Sequence, residues 1–177
     1  MNVNNTVQML HKTVKKYPDK SVFLWKNQGT YESITYEAFW TRIRNFANGL
    51  LQLGVKEDDK IAIISNSNPM WGISDFAIAS VQAVSVPIYP TIPSEQVAYI
   101  ANNVDITYAI VEDEEQFDKL MTAGIPLEKI IMMFPGETTS GEYESFQEVE
   151  LLGEENENPD WESLWIDLDR DKLLTIM

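Results

Sequence analysis

The stretch "KIAIISNSNPMWGISDFAIASVQAVSVPIYPTIPSEQVAYIANNVDITYAIV", residues 60–111, decides the fold. It contains three β-rich apolar runs: KIAII (60–64), VSVPIY (84–89) and ITYAIV (106–111). Unbroken apolar runs of this length suit strands buried on both faces. Between them lie helical patterns, PMWGISDFAIASVQ and PSEQVAYIANNV, with Pro69 and Pro93 placed for a first helical turn, where the missing N–H is harmless. A fourth run, KIIMMF (129–134), follows DEEQFDKLMTAG, in which Asp113 and Gln116 have capping-box spacing. The runs recur about 23 residues apart. Strand, helix, strand at that rhythm predicts right-handed βαβ units and a parallel sheet flanked by helices, an α/β fold.

Upstream, TVQMLHKTVKKYPDK reads as an amphipathic helix with Val7, Leu10, His11 and Val14 on one side and Pro18 beyond its end. His11 is the single histidine, and no ligand or base neighbours it in sequence, so packing is its expected role. SVFLWKNQGTYESITY offers two short strands around a turn at Gly29. A second helix follows, capped by Thr35, carrying Phe39, Trp40, Ile43, Phe46, Ala47 and Leu50 at helical spacing, and ended by Gly54. Downstream, Ser145 and Glu148 have capping-box spacing with Gly153 as the expected stop. A charged loop, EENENPD, precedes a short helix whose Trp161, Leu164 and Trp165 face inward. The last residues, DKLLTIM (171–177), read as the start of a core strand.

The 177 residues are 44% apolar and 23% charged, an ordinary globular composition for one domain or most of one. Without cysteine there is no disulfide framework, and a reducing cytoplasm is the expected home. The net charge of −15 is uneven: residues 1–111 hold nine acids and nine Lys or Arg, while residues 112–177 hold nineteen acids and four bases. Such a surface repels phosphate backbones, which argues against nucleic-acid binding. Solvated helix faces account for the charge, and an acidic docking face is the sharper alternative.

Motifs with chemistry are scarce. GETTSG, Gly136 to Gly141, has phosphate-loop spacing, but Glu142 and Tyr143 stand where Lys and Ser or Thr are needed, and Glu137, Glu142 and Glu144 would repel a polyphosphate. No G-x-G-x-x-G, H-E-x-x-H or G-x-S-x-G pattern occurs. One histidine and no cysteine exclude zinc sites built on those ligands. The residues alone assemble no catalytic site.

Residues 61–113, together with PDKSVFLW and SITYEAFWTRIRNFANGLLQLGVKEDDKIAI, resemble the adenylate-forming enzymes, and within them the long-chain fatty acyl-CoA synthetases. NPMWGISDFAI is similar to that family's N-P/R-x-W-x-x-x-D-x-A-I helix, and VSVPIYPTIPSEQVAYI to the strand, loop and helix after it. Two positions depart from the family: Asp58 stands for a glycine before the first core strand, and Gln82 for the glycine before Ala83-Val84. Asp tolerates a left-handed turn. The glutamine puts a close helix–strand approach in question.

The resemblance implies that residues 1–177 are a partial N-terminal, AMP-binding domain, cut before the T-S-G-T-T-G-x-P-K-G phosphate loop that follows a strand of the DKLLTIM type. It implies that the longer enzyme uses ATP, CoA and Mg²⁺. A fatty carboxylate attacks the α-phosphate, pyrophosphate leaves, and the CoA thiol then displaces AMP. The fragment is expected to be inactive scaffold without a cofactor of its own. Tyr89, Pro90 and Thr91, after the strand 84–89, are the candidate site residues, as a loop approaching the CoA channel. Expected partners are fatty acid, ATP, CoA and the rest of the chain. Self-association through the last strand is also expected, and peripheral membrane contact of the longer enzyme is left open. The rival reading is a stand-alone α/β module that binds a partner through its acidic C-terminal third.

Overall fold

The computed structural model describes residues 3–27, 29–136 and 142–177. Helix α1 (Thr6–Lys16) leads to a hairpin of β1 (Ser21–Asn27) and β2 (Thr30–Thr35), then to α2 (Tyr36–Gln52). Strand and helix alternate from there: β3 (Lys60–Ile64), α3 (Pro69–Ser80), β4 (Val84–Ile88), α4 (Ser94–Val104), β5 (Ile106–Val111), α5 (Glu114–Ala123) and β6 (Lys129–Met132). A two-residue β7 (Glu144–Ser145), α6 (Phe146–Glu155) and α7 (Trp161–Ile166) complete the order. The five-stranded sheet runs β4-β3-β5-β6-β7, every pairing parallel, and the antiparallel hairpin stands apart.

Alternation along the strands divides the core. Ile61, Ile63, Tyr108 and Ile110 face α1, α2, α3, α6 and α7. Ala62, Ile64, Val86, Val111 and Met132 face α4 and α5. The α/β reading therefore holds, with both faces of the sheet covered.

Several helix ends follow the local chemistry. Thr35 accepts from the Ala38 amide, Asn68 from the Trp71 amide with Pro69 at the first turn, and Ser145 and Glu148 form a reciprocal capping box. Two ends differ from expectation. Pro93 is the cap residue of α4 itself and offers no side-chain bond. Asp113 accepts from the Gln116 amide, but the Gln116 side chain binds Lys119, so only half of that box is made.

Gly153 is a correction. It does not stop α6, which runs on to Glu155 with Asn156 as its cap. Instead α2 and α6 touch backbone to backbone: a Cβ on Gly153 would lie 1.8 Å from the Asn45 carbonyl oxygen, and one on Gly49 would lie 2.1 Å from that of Val149. Beside this seam Phe46 and Phe146 stack at 4.0 Å, and Arg42 forks onto Glu150 at 2.7 and 2.9 Å.

Asp58 and Gln82 both adopt left-handed backbone, with φ of 66° and 64°. They are joined by the Asp58 amide donating to the Gln82 carbonyl at 3.1 Å. Their side chains reach the C-terminal segment. Lys172 bridges Glu57 and Asp58 at 2.5 and 2.8 Å, and the Gln82 amide donates to the Leu164 carbonyl at 2.7 Å. Beyond Lys172 the chain lies parallel to β4 and bonds twice to Ser85, through Leu174 O at 2.9 Å and Ile176 N at 3.0 Å. Leu174 and Ile176 pack inward, while Leu173 and Met177 are exposed.

The single histidine is a packing residue. Its ring stacks on Trp40 at 4.8 Å and meets the edge of Trp165 at 4.8 Å. Asn5 and Gln8 fasten α1 to the carbonyls of Trp165 and Ile166.

Two outcomes are expected. Gly153→Ala should lower stability by about 2–3 kcal/mol, read as a reduced urea midpoint at unchanged slope, because neither backbone can yield to the added methyl. Burial first, and then Lys15, hold the His11 pKa below the usual imidazole value of 6.5, against the pull of Glu162. A group depressed on folding takes its proton first in the unfolded chain, so its contribution is whole above that value and is lost as pH falls beneath it. His11→Gln should shrink the drop in melting temperature between about pH 7.5 and 5.5; an unchanged drop would refute the assignment.

Candidate functional site

The strand order reverses at β3. The chain leaves β3 for β4 on one side and returns across it to β5 on the other, so the loops after β3 and β5 diverge. In open α/β sheets a crevice for ligands opens at such a point, outside the carboxyl ends of the strands. Here three loops converge: 65–68 after β3, 89–93 after β4, and 112–113 after β5.

The crevice has a volume of about 380 Å³ and is lined by Asn66, Pro90, Thr91, Asp113, Gln116 and Lys119 among others. Asn66 closes one end, its backbone N–H and side-chain Nδ2 both donating to Glu112 Oε2 at 2.8 and 2.7 Å. The Ser65 hydroxyl donates to the Asn66 carbonyl and accepts from Asn68, whose Oδ1 caps α3. The opposite wall is held by Lys119, whose ammonium donates to the Pro90 carbonyl and to Gln116 Oε1. Gln116 is buried against the second core face and gives that ammonium a fixed seat.

Of the three residues singled out from the sequence, Pro90 and Thr91 line the crevice, whereas Tyr89 is 80% exposed and stands outside the lining. Asn66, Glu112 and Lys119 went unrecognised. Lys119 carried a signal, being the lone Lys or Arg between Lys60 and Lys129. The Asn66–Glu112 bridge spans 46 positions and has no local signature. Residues 137–141 of the GETTSG stretch lie outside the described residues.

Charge limits what this crevice can do. Glu112 to Glu115 supply four acids at or near its rim, and the amine of Lys119 is already bonded to two oxygens. Such a field disfavours a polyphosphate. Among the described residues no cluster of three His, Cys, Asp or Glu is placed to hold a metal ion. No described helix is long and apolar enough to cross a membrane.

Comparison with known proteins gives a consistent picture. The AMP-binding enzyme family matches residues 10–176. Long-chain-fatty-acid–CoA ligase ACSBG1 of Bos taurus is 31% identical over 114 residues, 64% of this chain and 16% of its own length. Long-chain-fatty-acid–CoA ligase 5 of Rattus norvegicus is 31% identical over 143 residues, 71% of this chain and 21% of its own. The chain thus spans about a fifth of the length of the curated relatives it matches. Among solved structures, the anthranilate CoA ligase AuaEII in complex with anthranoyl-AMP superposes with a TM-score of 0.73 at 21% identity, covering 83% of this chain and 28% of that one. At that identity the likeness shows the shared fold.

The Lys119 contact is testable. Lys119→Met removes the bond to the Pro90 carbonyl in the loop after β4, and the one to Gln116 within α5, while keeping the aliphatic stem. The Ile92 amide, which closes a turn onto Tyr89 O, should then exchange with solvent about tenfold faster, with melting little changed. Unchanged exchange would show that the loop holds itself.

Proposed function

The chain belongs to the AMP-binding enzyme family, and from that premise we propose that it forms the first part of the large N-terminal domain of a long-chain fatty acid–CoA ligase. The observation that carries this reading is the family match across residues 10–176 together with relatives that bear that name. In such a ligase a fatty carboxylate oxygen attacks the α-phosphorus of ATP and the bond to pyrophosphate breaks. The CoA sulfur then attacks the acyl carbon, and AMP leaves with the bonding pair.

Both steps develop charge that needs positioned cations and backbone donors. The acids at the rim of the crevice and the committed amine of Lys119 do not fit a nucleotide polyphosphate, and among the described residues no cluster of three acids is placed to hold its Mg²⁺. Under this reading, phosphate and metal binding and the catalytic lysine come from chain other than residues 1–177. What these residues contribute is placement. The sheet fixes the carboxyl ends of β3, β4 and β5, and Lys119 holds the Pro90 carbonyl in the loop after β4. The family resemblance is what assigns Tyr89, Pro90 and Thr91 of that loop to the approach of CoA.

Fatty-acid-dependent ATP–pyrophosphate exchange tests the proposal. Residues 1–177 alone should show none, and the product of a coding sequence extended to the length of the relatives should show it with a long-chain acid. Exchange by residues 1–177 would overturn the division of labour. An extended protein that exchanges only with a short or aromatic acid would overturn the substrate class.

A further inference from the structure

Trp71 and Asp75 lie four residues apart on α3, on one helix face, and the function proposed above uses neither. Together they open onto a groove of about 420 Å³ between β1 and α3, whose walls include Phe23, Trp25 and Phe76. Gly72 lets the hairpin lean in this far, since a Cβ there would come within 3.0 Å of Phe23 Cζ.

The carboxylate in this groove is short of partners. Asp75 Oδ1 accepts from the Ser85 hydroxyl at 2.8 Å, and among the described residues no Lys, Arg or His pairs with it. The Ser85 hydroxyl also lies 3.3 Å from the Leu174 carbonyl, so its single proton has two acceptors. Burial pushes the Asp75 pKa up, against the opposing pull of the Ser85 hydrogen bond. A half-buried carboxylate without a cation is unfavourable in an aromatic setting, and ring faces attract positive charge.

We propose that this groove binds a small organic ammonium ion, its charge against Asp75 and its alkyl groups against Trp71, Trp25 and Phe23. A hard metal cation suits the place less well, because Asp75 is the one carboxylate in a lining otherwise dominated by aromatic rings, and no cluster of three His, Cys, Asp or Glu stands among the described residues. The volume is that of a small-molecule site. The inference stands apart from the ligase reading and survives or fails without it.

Choline and its uncharged carbon isostere, 3,3-dimethylbutan-1-ol, form the test on residues 1–177. Titration is followed by calorimetry and by tryptophan fluorescence, to which Trp25 and Trp71 contribute. Saturable choline binding is expected, about tenfold tighter than the isostere, because only choline carries the charge. Asp75→Asn should abolish that tenfold preference while circular dichroism and melting stay as in the parent protein. Ser85→Ala should keep the preference, because it removes a neutral donor and leaves the carboxylate. Trp71→Leu should weaken choline more than the isostere, and it keeps the question open to test if Asp75→Asn does not fold. Equal binding of the two probes, a preference that persists in Asp75→Asn, or no saturation up to tens of millimolar choline would each overturn the proposal.

Discussion

A parallel sheet presents apolar side chains on both faces, and neither can be left to water. That constraint organises this molecule. β3, with Ile61 to Ile64 buried and neighbours on either side, cannot exist without α3 and its partners over one face and α4 and α5 over the other. The right-handed crossovers that deliver those helices bring every β-to-α loop to the same end of the sheet. The crevice is therefore a product of covering the sheet. Its lining residues are held there by core side chains such as Phe117 and Leu120 that never touch it.

The strand–helix alternation was legible because it rests on local pattern: apolar runs, first-turn prolines and capping residues act within a few positions. What stayed hidden depends on distant partners. Gly153 has the local signature of a stop and is in fact half of a helix crossing, a role set by Asn45 more than a hundred residues earlier. Gln116 matches a capping box by spacing, yet its side chain answers to Lys119. Of the candidate site, Pro90 and Thr91 were visible through family resemblance, while Lys119, Asn66 and Glu112 became site residues only when the sheet brought their loops together.

Asp58 and Gln82 show how a departure from glycine can be accommodated. A left-handed backbone costs a non-glycine residue roughly 1–2 kcal/mol. Each side chain gains a contact that glycine could not make: Asp58 reaches Lys172, and Gln82 reaches the Leu164 carbonyl. Asp58 thereby ties the amino-terminal end of the sheet to the segment that runs beside β4, and Gln82 ties it to α7, so each departure adds a polar link. The substitutions read as a pair, since their backbones are also bonded to one another.

The fastening of α1 to α7 has a consequence for biosynthesis. Asn5 bonds to Trp165 across a separation of 160 residues, and His11 sits between Trp40 and that same tryptophan. A ribosome adding about 5–20 residues per second needs roughly 8–30 s to deliver the second indole after the first helix has emerged. During that interval α1 can dock only on α2 and α3, with half of its aromatic seat missing. The nascent chain thus carries an incompletely covered first helix until Trp165 has emerged, which makes α1 the segment where a holding chaperone would find its surface.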